Sequence, residues 1–241
     1  MREPHVCETY VDEDVVDDLY DSLEAGGAYP WREPHLHGEA QDTSLASWQM
    51  LLQLIEDAAR DGRDEFQPAK ILGAQAWAQI VRLPAEIGSL KAVQKLNLYG
   101  SSLLSIPPEI GDMESLVEFI PYTSYGLHWF PYEITRCTRL RSSTVSTRAL
   151  YGNFKYRPPF PSLDQPVEAF VTANCSVCNA AIEPATAQQV WISLVVGTDV
   201  VPLLVNACSA ACIDGLPKPP EGYIPHPHRG GLPLQQPPAE W

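Results

Sequence analysis

The chain has 241 residues and a formal net charge of −14, and 45% of its residues are hydrophobic. This composition excludes a fully disordered chain and a membrane channel, and the length fits one sizeable domain or two small ones. No stretch approaches the roughly 18 consecutive apolar residues of a membrane-spanning helix, and the first residues lack the apolar core of a signal peptide. We therefore expect a cytoplasmic protein with no membrane partner.

The charge and the prolines are concentrated at opposite ends of the chain. Residues 1–40 hold eleven acids and two bases, and a segment of this kind repels itself and buries little surface. We expect residues 1–41 to form an acidic, disordered tail. Residues 217–241 contain eight prolines, so we expect a second tail that is extended or wraps around the rest.

Residues 42–82 are expected to form a helical N-terminal cap. Spacings of three and four place five apolar residues on one face of a helix, namely Leu45, Trp48, Leu52, Ile55 and Ala59. Thr43 or Ser44 can cap the start of this helix, and Gly62 can end it in the left-handed conformation. The apolar face is expected to cover one end of the segment that follows.

That segment contains a unit repeated three times. Each copy has an apolar residue followed by proline and, three residues after the proline, an isoleucine. These triplets are Leu83, Pro84 and Ile87, then Ile106, Pro107 and Ile110, then Phe130, Pro131 and Ile134. The offset is 23 residues and then 24, and random apolar residues do not keep register over three units, so the pattern indicates a repeat architecture. The strands of the units are expected near Gln94 to Leu98, Val117 to Pro121 and Arg141 to Val145.

The unit resembles the L-P-x-x-I-G-x-L-x-x-L-x-x-L-x-L repeat of intracellular leucine-rich repeat proteins, over about residues 83–150. The resemblance implies a mixed α/β fold in which residues 83–165 form a short solenoid of about three parallel strands. It also implies non-catalytic binding of another protein on the concave face. The chain departs from the family where a strand position is Pro121. It departs again at the usual asparagine, which is replaced by Ser101, Ser124 and Arg148.

Four cysteines between residues 166 and 216 form two closely spaced pairs. Cys175 and Cys178 form a C-x-x-C pair, and Cys208 and Cys212 form a second pair about 30 residues later. Two strand-like runs between the pairs, Gln189 to Val196 and Val200 to Val205, predict a hairpin, and a short helix is expected from Ser209.

This order of turn, hairpin and helix resembles treble-clef zinc modules. Four thiolates in two close pairs are the usual ligand set of a structural zinc ion, so we expect one Zn²⁺ that helps to seal the far end of the repeats. Two disulfides, or buried free cysteines, are the alternatives.

Nothing in the sequence argues for catalysis, and we expect that the protein is not an enzyme. Cys7 and Cys137 lie outside the two pairs. A cysteine protease would pair Cys137 with His128, but no oxyanion or base-orienting feature accompanies them. Glycine loops that bind phosphate and catalytic triad signatures are absent from the sequence. Two histidine pairs offer a less favoured metal site, namely His35 with His37 and His226 with His228.

The candidate partner-binding residues lie between the apolar positions of the strands, where side chains point towards the inner curve. Tyrosine mixed with small polar groups is typical of protein-recognition surfaces. The candidates of this kind are Lys95, Asn97, Tyr99, Glu118, Ile120 and Tyr122, followed on the third strand by Ser142, Thr144 and Ser146. Tyr125 and His128 are further candidates in the segment that adjoins the second strand. Trp129 belongs either to this surface or to the core.

The alternative function is nucleic-acid binding through the basic and aromatic stretch 136–157 and the zinc module. Residues 134–161 contain six bases and no acid, and bases interleaved with aromatics can follow a phosphate backbone and stack on its bases. Six bases are few beside 30 acids, so nucleic acid is the less favoured partner. The acidic N-terminal tail is a competing partner for these bases within the same molecule.

Overall fold

In the computed structural model, the described residues are 34–36 and 38–239. Within these ranges the fold is mixed α/β, as predicted. The helices are α1 (Ala46–Asp61), α2 (Pro68–Trp77) and α3 (Ala210–Asp214). The strands are β1 (Glu65–Phe66), β2 (Lys95–Asn97), β3 (Glu118–Ile120), β4 (Phe130–Pro131), β5 (Ser142–Ser143), β6 (Gln188–Val196) and β7 (Asp199–Ala207). No helix in the described part combines the length and the hydropathy that a membrane span requires.

Helix α1 buries a face turned by about one residue from the predicted one, and it also begins differently from the prediction. Of the five residues of the predicted stripe only Ile55 is buried, and its buried apolar neighbours are Leu51, Leu54 and Ala58. The residue before the helix is Leu45, and no side chain caps it. Neither Thr43 nor Ser44 is the cap, because the N–H and hydroxyl of Ser44 donate instead to the Asp42 carboxylate, at 2.9 and 2.6 Å. The predicted end is confirmed, since Gly62 has a φ of 63° and its N–H donates to helix carbonyls.

A four-stranded parallel sheet has the order β1-β2-β3-β5. The pairing follows the sequence repeat: Leu96 of β2 lies beside Phe119 of β3, and Phe119 lies beside Ser143 of β5. The partners are therefore 23 and then 24 residues apart, as are the three units. The three predicted strands are present, although each is shorter than its predicted range.

Each unit turns back through a short 3-10 helix, at Ala85–Ser89, Pro108–Asp112 and Tyr132–Arg136. The residue before each helix is an extended proline, which has no N–H to donate to a ladder and has a φ suited to starting a helical turn. The isoleucine of each unit is buried at the centre of its helix. The stacked units thus form one continuous apolar core under the sheet.

The predicted hairpin is also present. Strands β6 and β7 pair antiparallel over nine residue pairs, and β4 joins the outer side of β7 in parallel. The turn includes Gly197, whose φ is 63°. The tip of this hairpin lies against β5, where the Oγ1 of Thr198 donates to the carbonyl oxygen of Ser143 at 2.8 Å.

The C-terminal tail wraps around the hairpin, which is one of the two forms that the sequence predicted. The backbones of Trp191 and His228 pair with each other, and the N–H of Gly231 donates to the Phe160 carbonyl at 2.9 Å. Ile224 is buried in the aromatic cluster formed around Trp191. The tail therefore covers rings that would otherwise face water.

Candidate metal centre and partner-binding face

The four paired cysteines come together in the structure. Their sulfur atoms all lie within 4.8 Å of one another. The Sγ of Cys208 is 3.5 Å from that of Cys178 and 3.6 Å from that of Cys212. Sulfurs that surround a zinc ion tetrahedrally at about 2.3 Å lie roughly 3.8 Å apart. The cluster therefore fits one tetrahedral ion and can bind a metal ion such as zinc.

Backbone hydrogen bonds shape the turn that carries the first pair of cysteines, Cys175 and Cys178. The N–H of Cys175 donates to the Ala180 carbonyl at 2.7 Å, and the N–H of Asn179 donates to the Cys175 carbonyl at 3.0 Å. Asn179 has a φ of 62°, a left-handed conformation that asparagine tolerates. The resulting turn, residues 175–179, is called the knuckle here.

Helix α3 supplies the fourth sulfur. The helix is present where the sequence predicted it, and the Oγ of Ser209 caps its start by accepting a hydrogen bond from the N–H of Cys212 at 3.3 Å. The five described cysteines are all free of disulfides. Cys7 lies outside the described residues.

The thiols differ in how readily they lose a proton. Burial of the Cys175 sulfur raises its pKa, but the backbone N–H groups of Cys178, Cys208 and Val177 outweigh burial and lower the pKa to about 6. The neighbouring thiols of Cys178, Cys212 and Cys175 instead raise the pKa of Cys208 to about 12. Four adjacent thiolates repel one another, so a bound cation would stabilise the fully ionised set.

A polar network behind the knuckle fixes it to the hairpin. The Nε2 of Gln189 donates to the Oδ1 of Asn206 at 3.0 Å, and the N–H of Asn206 donates to the Oγ of Ser176 at 2.9 Å. All three residues are buried. Gln189 and Asn206 stand at the ends of the two strand-like runs, where polar residues are common, so the sequence carries little signal for this network.

A second contact joins the knuckle to the third repeat unit. The Nη2 of Arg136 donates to the Ser176 carbonyl at 3.0 Å. Arg136 and Cys178 also line a cleft of about 870 Å³ between the units and the knuckle. Its walls carry two arginines, Arg82 and Arg136, and three acids, Glu109, Asp112 and Glu133. These opposed charges favour neither an anion nor a cation as its ligand.

Seven of the eight predicted partner-binding residues are at least partly exposed in β2, in β3 and in the segments that directly follow them, and this set is called the tyrosine face here. Its members are Lys95, Asn97, Tyr99, Glu118, Ile120, Tyr122 and Tyr125, all at least partly exposed. Tyr99, Tyr122 and Tyr125 expose 53%, 46% and 43% of their surface. The rings of Tyr99 and Tyr122 have centroids 6.2 Å apart. Beside them, the Nζ of Lys95 lies 3.2 Å from the Oε2 of Glu118.

His128 does not belong to the tyrosine face, and this prediction is corrected. Its side chain is only 6% exposed, because its Nδ1 bonds to the Ala149 carbonyl at 2.6 Å and its ring packs 5.3 Å from that of Tyr151. Ser146 is also buried, since its Oγ accepts the N–H of Thr123 at 2.8 Å. Trp129 lies in the core. Ser142 and Thr144 keep at least part of their surface exposed.

The other reactive side chains considered in the sequence are enclosed. Cys137 is buried, its Sγ donates to the Ile110 carbonyl at 3.1 Å, and burial raises its pKa to about 12. Such a thiol is a poor nucleophile. His228 is buried under the tail, and its predicted metal-binding neighbour His226 is exposed. His37 lies outside the described residues.

Several residues of the basic stretch are already engaged within the molecule. Tyr151 and Phe160 are buried in the aromatic cluster. The guanidinium of Arg157 lies 5.7 Å from the Tyr223 ring and donates to the Pro238 carbonyl at 2.8 Å. The stretch therefore offers fewer free rings for stacking on nucleic-acid bases than its sequence suggests.

No protein-family model matches this chain, and no curated protein matches it. Its function must be inferred from its own residues and their arrangement.

Proposed function

We propose that this chain is a non-catalytic protein that captures another protein on its tyrosine face. The observation that carries this proposal is the exposure of Tyr99 and Tyr122, whose rings lie side by side on neighbouring units; Tyr125 is exposed in the segment that follows β3. Aromatic rings on a rigid scaffold can bury a large area in a complex while losing little side-chain entropy. Neighbouring exposed rings such as Tyr99 and Tyr122 form a contiguous patch rather than scattered apolar residues, and such a patch supports a binding role.

We further propose that the parallel units form a short leucine-rich repeat solenoid and that the cysteines hold one structural Zn²⁺ in a treble-clef-like module. The 23- and 24-residue pairing of β2, β3 and β5 supports the first part. The sulfur cluster at the start of α3 supports the second part. Four protein thiolates leave no open coordination position, so the ion would stabilise the fold rather than act on a substrate.

The tyrosine face can be tested with the double variant Tyr99→Ala/Tyr122→Ala. Alanine at a central aromatic position often costs about 2 kcal/mol or more of binding energy, or roughly thirtyfold in affinity. We expect the double variant to lose a partner that the unaltered protein retains in affinity capture followed by mass spectrometry. Thermal unfolding should shift little, because both rings are largely outside the core.

The matched control is Met50→Ala/Ile71→Ala, which removes two exposed apolar side chains from the helical cap. This variant should retain the partner. Equal capture by all three proteins would contradict the proposal. A much lower melting temperature for the tyrosine variant would show instead that the rings stabilise the fold.

Nucleic-acid binding remains the alternative, and exposed arginines in the stretch 136–157 favour it. Phosphate contacts release counterions, so binding to mixed oligonucleotides would weaken steeply as salt rises. Binding of a protein through the tyrosine face should depend far less on salt. A salt titration therefore separates the two functions.

A further inference from the structure

The glutamate at one position of the repeat unit has a different environment in the third copy. Glu86, Glu109 and Glu133 each stand directly before the isoleucine of their unit, in the first turn of its 3-10 helix. Glu86 is exposed and Glu109 is half-buried, as is usual for an acid. Glu133 is only 3% exposed. The repeat therefore places a carboxylate where the surroundings of the third unit enclose it.

The buried carboxylate of Glu133 lacks a full set of partners. Its Oε2 atom has no hydrogen-bond partner among the described residues, although the large majority of buried polar atoms in proteins have one. Burial raises the pKa of this carboxyl group, because removing its charge from water is costly. A ligand that carries a positive charge and donates a hydrogen bond would offset this cost.

Glu133 lines the cleft of about 870 Å³ between the repeat units and the knuckle. This volume is in the range of ligand-binding pockets, about 300–1,000 Å³. Half-buried apolar residues also line the cleft, namely Pro107, Pro108, Phe170, Val171 and Val177. The cleft therefore fits a ligand that has an apolar stem and a charged donor at its end.

The two arginines in the walls of the cleft do not serve the open oxygen of Glu133. The Nη2 of Arg136 donates instead to the Ser176 carbonyl at 3.0 Å. The guanidinium of Arg82 lies 4.9 Å from the centre of the Phe170 ring. The wall charges as a whole favour neither sign of ligand, but at this carboxylate the missing partner is a donor.

We propose that the cleft binds the side chain of a lysine presented by a partner polypeptide, with the ammonium group donating to the Glu133 carboxylate. The lysine stem can bury against the apolar walls while its charged end reaches the carboxylate. Because this carboxylate is almost fully buried, the group that reaches it must be slender, which favours the compact ammonium of lysine over the planar guanidinium of arginine. The cleft has room for part of the peptide chain beside the side chain, which favours a polypeptide over a free amine. None of the residues of the tyrosine face lines the cleft, so this site is independent of the proposed function.

Titration of the full chain with a blocked pentapeptide, a single lysine flanked by alanines, tests the site. Nuclear magnetic resonance detects weak binding through the amide signals of residues that line the cleft, such as Phe170, Val177 and Cys178. We expect saturable shifts of these signals. Replacing the lysine of the peptide by norleucine or by acetyl-lysine should weaken binding about tenfold or more, because each change removes the charged donor.

Two variants of the protein locate the binding. Glu133→Gln keeps the shape of the side chain and should weaken binding of the lysine peptide about tenfold or more. Ala173→Trp leaves the carboxylate intact but fills the cleft, because Ala173 is exposed and lines it, and it should weaken binding as well. Glu86→Gln is the matched control, since it makes the same change at the same position of the first unit, and Glu86 does not line the cleft. This control should bind the peptide as the unaltered protein does.

Absence of saturable binding, or equal affinity of the Glu133 and Glu86 variants for the lysine peptide, would overturn the proposal. Equal affinity of the unaltered protein for the norleucine peptide would also overturn it, because apolar contact alone would then explain binding. Tighter binding of a matched arginine peptide would overturn the choice of lysine. Binding of n-butylamine as tight as that of the lysine peptide would overturn the choice of a polypeptide.

Discussion

Gly88 and Gly111 occupy the same position in the first two units, and the close stacking of the next unit leaves no room there for a side chain. A Cβ on Gly88 would lie 3.0 Å from the Glu109 carbonyl oxygen of the next unit. A Cβ on Gly111 would lie 2.5 Å from the Glu133 carbonyl oxygen. The equivalent position of the third unit is Thr135, and no fourth unit stacks on it. The glycine is therefore required by contact with a following unit rather than by its own backbone conformation.

Substitution of Gly111 measures this contact. Because the carbonyl of Glu133 is backbone and cannot move alone, we expect Gly111→Ala to cost about 1–3 kcal/mol of unfolding free energy in urea denaturation. Gly88→Ala should cost less, since its nearest contact is longer. Gly38→Ala is the control, because no atom lies within 4 Å of its added Cβ. Equal stability of the Gly111 and Gly38 variants would contradict the close stacking.

Ser101 and Ser124 stand where the leucine-rich repeat pattern usually has asparagine, and their hydroxyls make hydrogen bonds within this turn. The Oγ of Ser124 donates to the Leu98 carbonyl at 3.1 Å and lies 2.6 Å from the Oγ of Ser101. The N–H of Ser101 also donates to the Ser124 hydroxyl. Two hydroxyls in adjacent units thus hold the turn together. The sequence identified these positions as departures but could not supply the pairing, which depends on contact between units.

At the scale of elements, the hairpin tip closes the last strand of the parallel sheet. Ser143 occupies the position of Leu96 and Phe119 in the earlier units. Its Oγ accepts the N–H groups of Thr198 and Asp199, both at 3.1 Å. The hairpin was predicted from its own residues. Its docking on β5 was not, because it depends on a few hydrogen bonds of the Ser143 and Thr198 hydroxyls across more than 50 positions of sequence.

The wrapped tail gives the fold a pH dependence through His228. Burial, and then the charge of His226, lower the pKa of His228 to about 3. In the unfolded chain this histidine would titrate near 6.5, so below that pH the unfolded state binds a proton that the folded state does not. The stability contribution is complete above about pH 6.5 and is lost as pH falls towards 3, at roughly 1.4 kcal/mol per pH unit.

We therefore expect His228→Gln to remove about 2 kcal/mol of the stability difference between pH 6.5 and pH 5. Urea denaturation of the variant and the unaltered protein at several pH values measures this difference. His226→Gln, at an exposed position, should leave most of the pH dependence in place. An unchanged pH slope in the His228 variant would mean that another group is responsible.

At the scale of the whole molecule, the features that the sequence predicted well are those with a local or periodic signal. The strands, the turn at Gly62, the hairpin and the cysteine pairs all repeat or lie within a few residues of their partners. The features that it missed join distant segments through one or two hydrogen bonds. Examples are the hydrogen bond from Arg136 to Ser176 and the backbone pairing of Trp191 with His228. No residue pattern in either segment predicts such a contact.

Those distant contacts tie the cysteine centre to the parallel sheet. Strand β4, which begins the third unit, pairs with β7 of the hairpin. Arg136 of the same unit holds the knuckle, and Ser143 holds the hairpin tip. Loss of order in the cysteine centre should therefore spread to the third unit and from there to its neighbours, because each unit buries its core against the next.

Removal of the metal tests this coupling. If the four cysteines hold a structural zinc ion, the binding energy is folding energy, and its loss should cost about 5 kcal/mol or more. For a chain of this length that predicts a fall in melting temperature of about 10 °C or more after chelation.

Cys212→Ser should show the lower melting temperature without chelator, and adding chelator should not lower it further. Cys137→Ser changes a buried cysteine outside the cluster, so it should keep its sensitivity to chelation and its bound metal. Elemental analysis should find one zinc ion per chain in the unaltered protein. The structural role would be refuted if a sample stripped of metal by the chelator had the same melting temperature as the untreated protein.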